Sequence, residues 1–196
     1  YMDADDGNAG KCVVATVSGT SISFGTAVEF AATVTSGANC VATFDSTSNK
    51  MLIAYGDADN SNYGTAKMGT VSGTSISFGS ATVFNTKYPG FLCGAYDTSA
   101  DRTVLTFQGP SDKAAYVVAT VSGTSVSFSS EAYWLPEADD SRENGITFDS
   151  NSNKIVFAGR NDSDTDGVAR VFTVGATNLT SENFIGITPS AYPTGA

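Results

Sequence analysis

Short runs of alternating apolar and polar residues, separated by Gly, Ser, Asn and Asp, follow one another along most of the chain. In the stretch TSISF, Ile22 and Phe24 fall on one face of a strand, while Ser21 and Ser23 fall on the other. The stretch KMLIAY (50–55) carries apolar residues on both faces, which is typical of a strand in the interior of a sheet. The pattern therefore predicts an all-β protein with many tight turns.

The pattern repeats. The decapeptide TVSGTSISFG occurs at residues 16–25 and 70–79, and TVSGTSVSFS at 120–129 is a near copy. A second motif, an aromatic residue followed by Asp and a polar turn, recurs every 52 residues, at Phe44, Tyr96 and Phe148. Each period holds four strand candidates. A Ser-Gly pair in the decapeptide, first at Ser18-Gly19, predicts a tight hairpin between the third and fourth strands.

Four short antiparallel strands in each repeat of about 52 residues predict a β-propeller-like array of four-stranded antiparallel blades. A β-solenoid is the alternative, although its parallel strands agree less well with the hairpins. About four repeats are expected within 1–175, at 1–54, 55–106, 107–158 and, in part, from 159 to 175 onward. Residues 176–196 lose the motif, and we expect them to be a divergent end that leads into another module.

The first repeat is expected to be incomplete. Residues 1–17 match 55–71, so the chain is expected to open at the end of a second strand. The final segment of the chain, a neighbouring chain or the rest of a longer protein would then supply the absent strands, because an unpaired sheet edge favours association.

Composition narrows the possible partners. The net charge is −10 and His is absent, so binding to the phosphate backbone of nucleic acids is not expected. No apolar run reaches the roughly 18 residues that a membrane span needs, so membrane insertion is not expected.

The three cysteines lie in strand-like apolar runs, which favours buried free thiols. A Cys40–Cys93 disulfide is the alternative, because these residues occupy nearly equivalent places in successive repeats.

The composition also argues against catalysis. Without His, the chain has neither Ser-His nor Cys-His nucleophilic pairs, nor His-ligated zinc. A carboxylate pair for glycoside hydrolysis remains open because Asp is abundant, but the pattern singles out no two residues. We therefore expect no enzymatic activity, with a glycan-cleaving propeller as an alternative.

Two kinds of binding residue stand out in the loops. Alternating Asp with Asn, Ser and Gly offers oxygen ligands for calcium, although ordinary solvated turns have the same composition. The candidate calcium ligands are Asp3, Asp5, Asp57, Asp59, Asp162, Asp164 and Asp166. The candidate sugar-stacking aromatics are Tyr88, Phe91 and Trp134, although Trp134 aligns with Phe30 and Phe84, which favours a core role.

The recurring Asp45, Asp97 and Asp149 are expected to bond the amides of their own turns rather than to bind a ligand.

The alternation of GTVSGTSISFG, TFDSTSNK and YGDADNSNYGTA, closed by NLTSENFIGITPSAY, resembles tandem repeats of large marine bacteriophage and marine bacterial proteins. The resemblance implies a virion or extracellular, cell-surface location and a fibre with propeller-like repeats. We expect a structural or receptor-binding module of a phage fibre or tail-associated protein, with a bacterial adhesin or filament subunit as the alternative. The expected partners are further copies or a longer fibre chain, together with a host-surface glycan.

Overall fold

The protein is all-β in a computed structural model, which describes residues 1–35, 39–135, 141–161 and 166–175. Its strands form several antiparallel sheets, and none of the described sheets closes on itself. The described residues form five sheets that follow the sequence repeat, and we group them into units 1 to 4 in chain order, with two sheets in unit 1. Within these ranges, no helix is long and apolar enough to cross a bilayer.

Unit 2 shows the repeat in full. Its first three strands, β6 (Cys40–Asp45), β7 (Lys50–Asp57) and β8 (Tyr63–Ser72), are antiparallel neighbours. The fourth is divided into β9 (Ser75–Phe78) and β10 (Thr82–Asn85), which both pair with β8. Phe78 lies opposite Gly69, and Thr82 lies opposite Ala66. The fourth strand therefore advances by four residues where β8 advances by three. The division is therefore a bulge of one residue.

The other units are variants of this plan. Unit 3 repeats it with β11 (Gly90–Asp97), β12 (Arg102–Gln108), β13 (Ala114–Ser122), β14 (Ser125–Phe128) and β15 (Ala132–Leu135). Unit 4 contains β16 (Ser141–Asp149), β17 (Lys154–Asn161) and β18 (Asp166–Phe172). Unit 1 contains β1 (Met2–Asp3), β2 (Ala9–Cys12), β3 (Ala15–Ser18), β4 (Ser21–Phe24) and β5 (Val28–Ala31). The expected all-β, antiparallel arrangement is thus confirmed, with five strands in each of units 2 and 3 because the fourth strand is divided, while residues 176–196 lie outside the described part.

The hydrophobic core lies between the units rather than within them. Leu52 and Ala54 of β7 pack with Leu105 of unit 3, whereas Ile53 and Tyr55 pack with residues of unit 1. We call the side of a sheet that faces the preceding unit its leading face, and the other side its trailing face. The apolar character of β7 on both faces, predicted from the sequence, is explained because unit 1 covers one face of unit 2 and unit 3 covers the other.

The repeated hairpin differs from expectation in two ways. Ser18 pairs with Ser21, so the turn residues are Gly19 and Thr20 rather than Ser18-Gly19, and Gly19 has a φ of 59°. The expected packing of one face holds in unit 2, where Ile76 is only 7% exposed, but not in unit 1, where Ile22 is 58% exposed. The difference arises because unit 1 supports the hairpin of unit 2, whereas no described residue supports that of unit 1.

The three cysteines are free thiols, and the alternative Cys40–Cys93 disulfide is not formed. Cys40 lies on a leading face and packs against the cluster between units 1 and 2. Cys93 points the other way, and its Sγ donates to the carbonyl oxygen of Asn144 in unit 4 at 2.9 Å. Partial burial raises the pKa of each thiol, which keeps it protonated at neutral pH.

Candidate functional site

The two ends of the sheets differ in chemistry. One end, the turn end, carries the tight turns after the first and third strands of units 2 and 3, the β3–β4 turn of unit 1 and the β16–β17 turn of unit 4. The other, the loop end, carries the acidic segments between the second and third strands and the crossovers to the next unit. Val34 of the first crossover bridges to Asp57, and the amide of Thr35 donates to the carbonyl oxygen of Gly56 at 3.0 Å. Crossovers and acidic segments are therefore in contact at the loop end.

The turn end uses its recurring aspartates for structure. Asp45 Oδ1 accepts the amides of Thr47 and Ser48 at 3.0 and 2.9 Å. Asp97 accepts two turn amides in the same way, and Asp149 accepts the amide of Asn151 at 3.0 Å. The prediction that these residues bond their own turns is confirmed.

These aspartates predict a dependence of stability on pH. Burial raises the pKa of Asp45, but the bonds that it accepts from Ser48 and its other partners outweigh this effect, so its pKa lies below the ordinary value. The bond from the Ser152 hydroxyl lowers the pKa of Asp149. A carboxyl with a lowered folded-state pKa adds stability above its unfolded-state pKa, and this stability is lost as the pH falls through the folded-state value.

We therefore expect the free energy of unfolding to stay constant from pH 7 to about pH 5. It should decrease at pH values under about 4, near the ordinary aspartate pKa. Urea denaturation at a series of pH values measures this. An Asp45→Asn variant, which cannot ionise there, should lose less stability between pH 5 and pH 3 than the unsubstituted chain. An equal loss in the two proteins would contradict the assignment of Asp45.

The acidic segments of the loop end bind their own chain. Asp3 Oδ2 and Asp6 Oδ2 lie 2.9 and 2.6 Å from Lys11 Nζ, which places an internal cation between them. The hydrogen bond from Lys11 lowers the pKa of Asp3. Asp3 Oδ1 and Asp57 Oδ1 also accept the amides of Asp5 and Asp59, both at 3.2 Å, and so cap the short 3₁₀ helices Ala4–Asp6 and Ala58–Asn60.

The structure describes five of the seven candidate calcium ligands. The described ranges contain no group of three or more His, Cys, Asp or Glu side chains that could hold a metal ion. Asp166 begins β18 opposite Asn161, whereas Asp162 and Asp164 lie outside the described residues. The first two acidic segments thus have the capping role of ordinary turns.

Trp134 lies in the core between units 3 and 4. Its side chain is fully buried, and its ring stacks on Phe157 with a centroid distance of 5.3 Å and an interplanar angle of 7°. Its Nε1 donates to Thr106 Oγ1 at 2.9 Å. The core role suggested by the alignment with Phe30 and Phe84 is the one observed, so its faces are not open to a sugar.

Tyr88 and Phe91 are exposed at the loop end, with 45% and 39% of their surface accessible. Phe91 has a φ of 50°, in the left-handed region that non-glycine residues rarely adopt, and it lies in a bulge of the pairing between β11 and β12. Asn39 Nδ2 donates to the hydroxyl of Tyr88, so successive crossovers meet at this point. Asn39 was not identified from the sequence, although it lies 49 residues before Tyr88, which is close to the repeat length of about 52 residues.

The candidate site is therefore the exposed pair of Tyr88, in the second crossover, and Phe91, at the start of β11, with the buried Asn39 bonded to Tyr88. The amide of Asn39 and the hydroxyl of Tyr88 bond each other, while Tyr88 and Phe91 remain exposed. Comparisons of the chain with protein-family models, with curated proteins and with solved structures found no match.

Proposed function

We propose that the chain is a non-enzymatic, propeller-type scaffold whose loop end binds a surface glycan, as a structural or receptor-binding module of a phage virion fibre or tail-associated protein. The observation that carries the proposal is that repeated (copied) and non-repeated (uncopied) segments of the sequence lie at opposite ends of the sheets. The copied hairpin turns lie at the turn end, whereas the exposed Tyr88, in an uncopied crossover, and the exposed Phe91, at the start of β11, lie at the loop end. Binding residues commonly occupy variable loops on a rigid scaffold.

The proposal that the units are propeller blades is supported by the contacts between them. The first strand of unit 3, β11, contacts both β6 and β16, which are the first strands of units 2 and 4. Successive sheets also pack face to face through apolar clusters. First strands side by side and sheets stacked face to face are what blades arranged about an axis require.

A virion or extracellular location is proposed from the resemblance to phage and bacterial surface repeats. The surface charge is compatible with this location. The chain has 20 Asp and Glu residues and 10 Lys and Arg residues, and the resulting net charge of −10 favours solubility.

The binding proposal predicts that Tyr88→Ala and Phe91→Ala each weaken glycan binding. Loss of one stacked ring contact, worth about 1 kcal/mol, corresponds to about a fivefold loss of affinity. A glycan array identifies the sugar, and calorimetry with that sugar then compares the variants. Phe44→Ala is the matched control, because Phe44 is 50% exposed but lies at the turn end. Its affinity should be unchanged.

Two results would count against the proposal. Absence of binding by the unsubstituted chain to every glycan on the array would contradict glycan recognition. Release of a shortened glycan during incubation, detected by mass spectrometry, would contradict a non-enzymatic role and favour a glycan-cleaving enzyme.

A further inference from the structure

The leading face of unit 1, which we call the N-face, exposes a row of large apolar side chains. Val17 and Ile22 lie opposite each other in the hairpin of β3 and β4, and Phe24 follows on the same face. Their exposed fractions are 69%, 58% and 67%. Within the part of the chain that the structure describes, no residue covers this row. Apolar side chains grouped on one sheet face in this way mark an interaction surface.

The counterparts of Ile22 and Phe24 in unit 2 are packed, whereas Val71, the counterpart of Val17, is 44% exposed. Ile76 and Val126, the counterparts of Ile22, are only 7% and 5% exposed. Phe78, the counterpart of Phe24, meets Phe30 of the preceding unit edge to face, with the ring centroids 6.2 Å apart. At Ile22 and Phe24, the N-face therefore carries side chains whose counterparts elsewhere in the chain pack onto a preceding unit.

The trailing face of unit 4, the C-face, carries the complementary surface. Val156 lies opposite Val171, and Ala158 opposite Ala169, which matches the pairing of Leu52 with Met68 and of Ala54 with Ala66 in unit 2. All four residues in unit 2 are fully buried against unit 3. In unit 4, by contrast, Ala158 is exposed and the other three are half-buried among the described residues.

We propose that the N-face of one copy of this chain packs on the C-face of a second copy, in the geometry by which successive units pack within the chain. The contact is head-to-tail, so it leaves one N-face and one C-face free in every pair and builds either an open filament or a closed ring of subunits. The inference rests on the scaffold part of the proposed function and is independent of glycan binding. It commits to a second copy because the two end faces continue an interface that the chain already makes between its own units.

The test uses two variants, each of which blocks one face. Ile22→Lys combined with Phe24→Lys places charges on the N-face, and Ala158→Arg places one on the C-face. We expect sedimentation velocity to show that the unsubstituted chain forms species whose mass rises with concentration, and that each variant alone stays monomeric. Equal amounts of the two variants should form a complex of one copy each, because one supplies an intact C-face and the other an intact N-face.

The matched control is Ser23→Lys. Ser23 is exposed on the opposite face of the same hairpin, so this variant should assemble like the unsubstituted chain.

Monomeric behaviour of the unsubstituted chain at every concentration would overturn the proposal. A C-face variant that still forms dimers alone would overturn the head-to-tail geometry. Monomers whose end-face variants melt earlier would show that the two faces meet within one chain. Glycan binding by the monomeric N-face variant separates the outcome of this test from that of the proposed function.

Discussion

Replacement of Trp134 by alanine is expected to lower the free energy of unfolding by about 3–5 kcal/mol, the range found when a large buried aromatic side chain is removed from a core. The ring is fully buried, stacks on Phe157 and donates its Nε1 hydrogen to Thr106. Because this core lies between units 3 and 4, the cavity would weaken the packing of two sheets at once. Urea denaturation followed by circular dichroism measures the loss.

Trp134→Phe is the control for this prediction, because phenylalanine occupies the aligned positions in the two preceding units, at Phe30 and Phe84. The variant keeps a stacked ring and loses the bond to Thr106, whose hydroxyl still donates to the carbonyl oxygen of Ala115 at 3.0 Å. We expect a loss of about 1–2 kcal/mol. An equal loss in Trp134→Phe and Trp134→Ala would show that the polar contact, rather than the packing of the ring, dominates.

Replacement of Gly79 by alanine is expected to cost about 2–3 kcal/mol, near the upper end for the insertion of one methyl group into a packed interface. A Cβ atom at Gly79 would lie 2.0 Å from the carbonyl oxygen of Thr124, in the hairpin turn of the next unit. Gly25 has the same relation to Thr74, at 2.1 Å. An obstacle formed by backbone cannot rotate away, so the two sheets would have to separate. Thermal melting and urea denaturation both report the loss.

Gly167→Ala is the matched control for this substitution. Gly167 lies in a strand, β18, and a Cβ atom there would meet no atom within 4 Å. We expect the free energy of unfolding to change by less than about 0.5 kcal/mol, as for most surface substitutions. Similar losses for Gly79→Ala and Gly167→Ala would mean that intrinsic strand preference, rather than the contact with Thr124, explains the effect.

The final glycine of the decapeptide shows where sequence-based prediction reached its limit. Alternation in TSISF indicated a strand, and apolar residues on both faces of KMLIAY indicated an interior strand, because both patterns record burial directly. The reason for Gly25 and Gly79 was not predictable from a local pattern, since it depends on the carbonyl oxygen of a turn one unit away. For the same reason, the pattern did not reveal that the hairpin of unit 1 is exposed.

The candidate site was predictable only in part. Tyr88 and Phe91 were selected because they interrupt the repeat, and both are exposed. Trp134 showed the opposite result, because its alignment with core phenylalanines outweighed its chemical suitability for sugar stacking. The acidic segments suggested calcium from composition alone. In the first of them, however, Lys11 follows Asp3 by eight residues and binds both Asp3 and Asp6, which no spacing rule for carboxylates takes into account.

The position of the core between the units has a consequence for how the protein gained its length. A single sheet of this kind has no core of its own, so its cooperative folding unit is a pair of neighbours, and stability grows as a sum over nearest-neighbour interfaces. Each repeat carries both surfaces of this interface, because its leading face packs on the trailing face of the preceding repeat. Tandem duplication in the gene therefore adds a complete, already complementary layer of core without a compensating mutation.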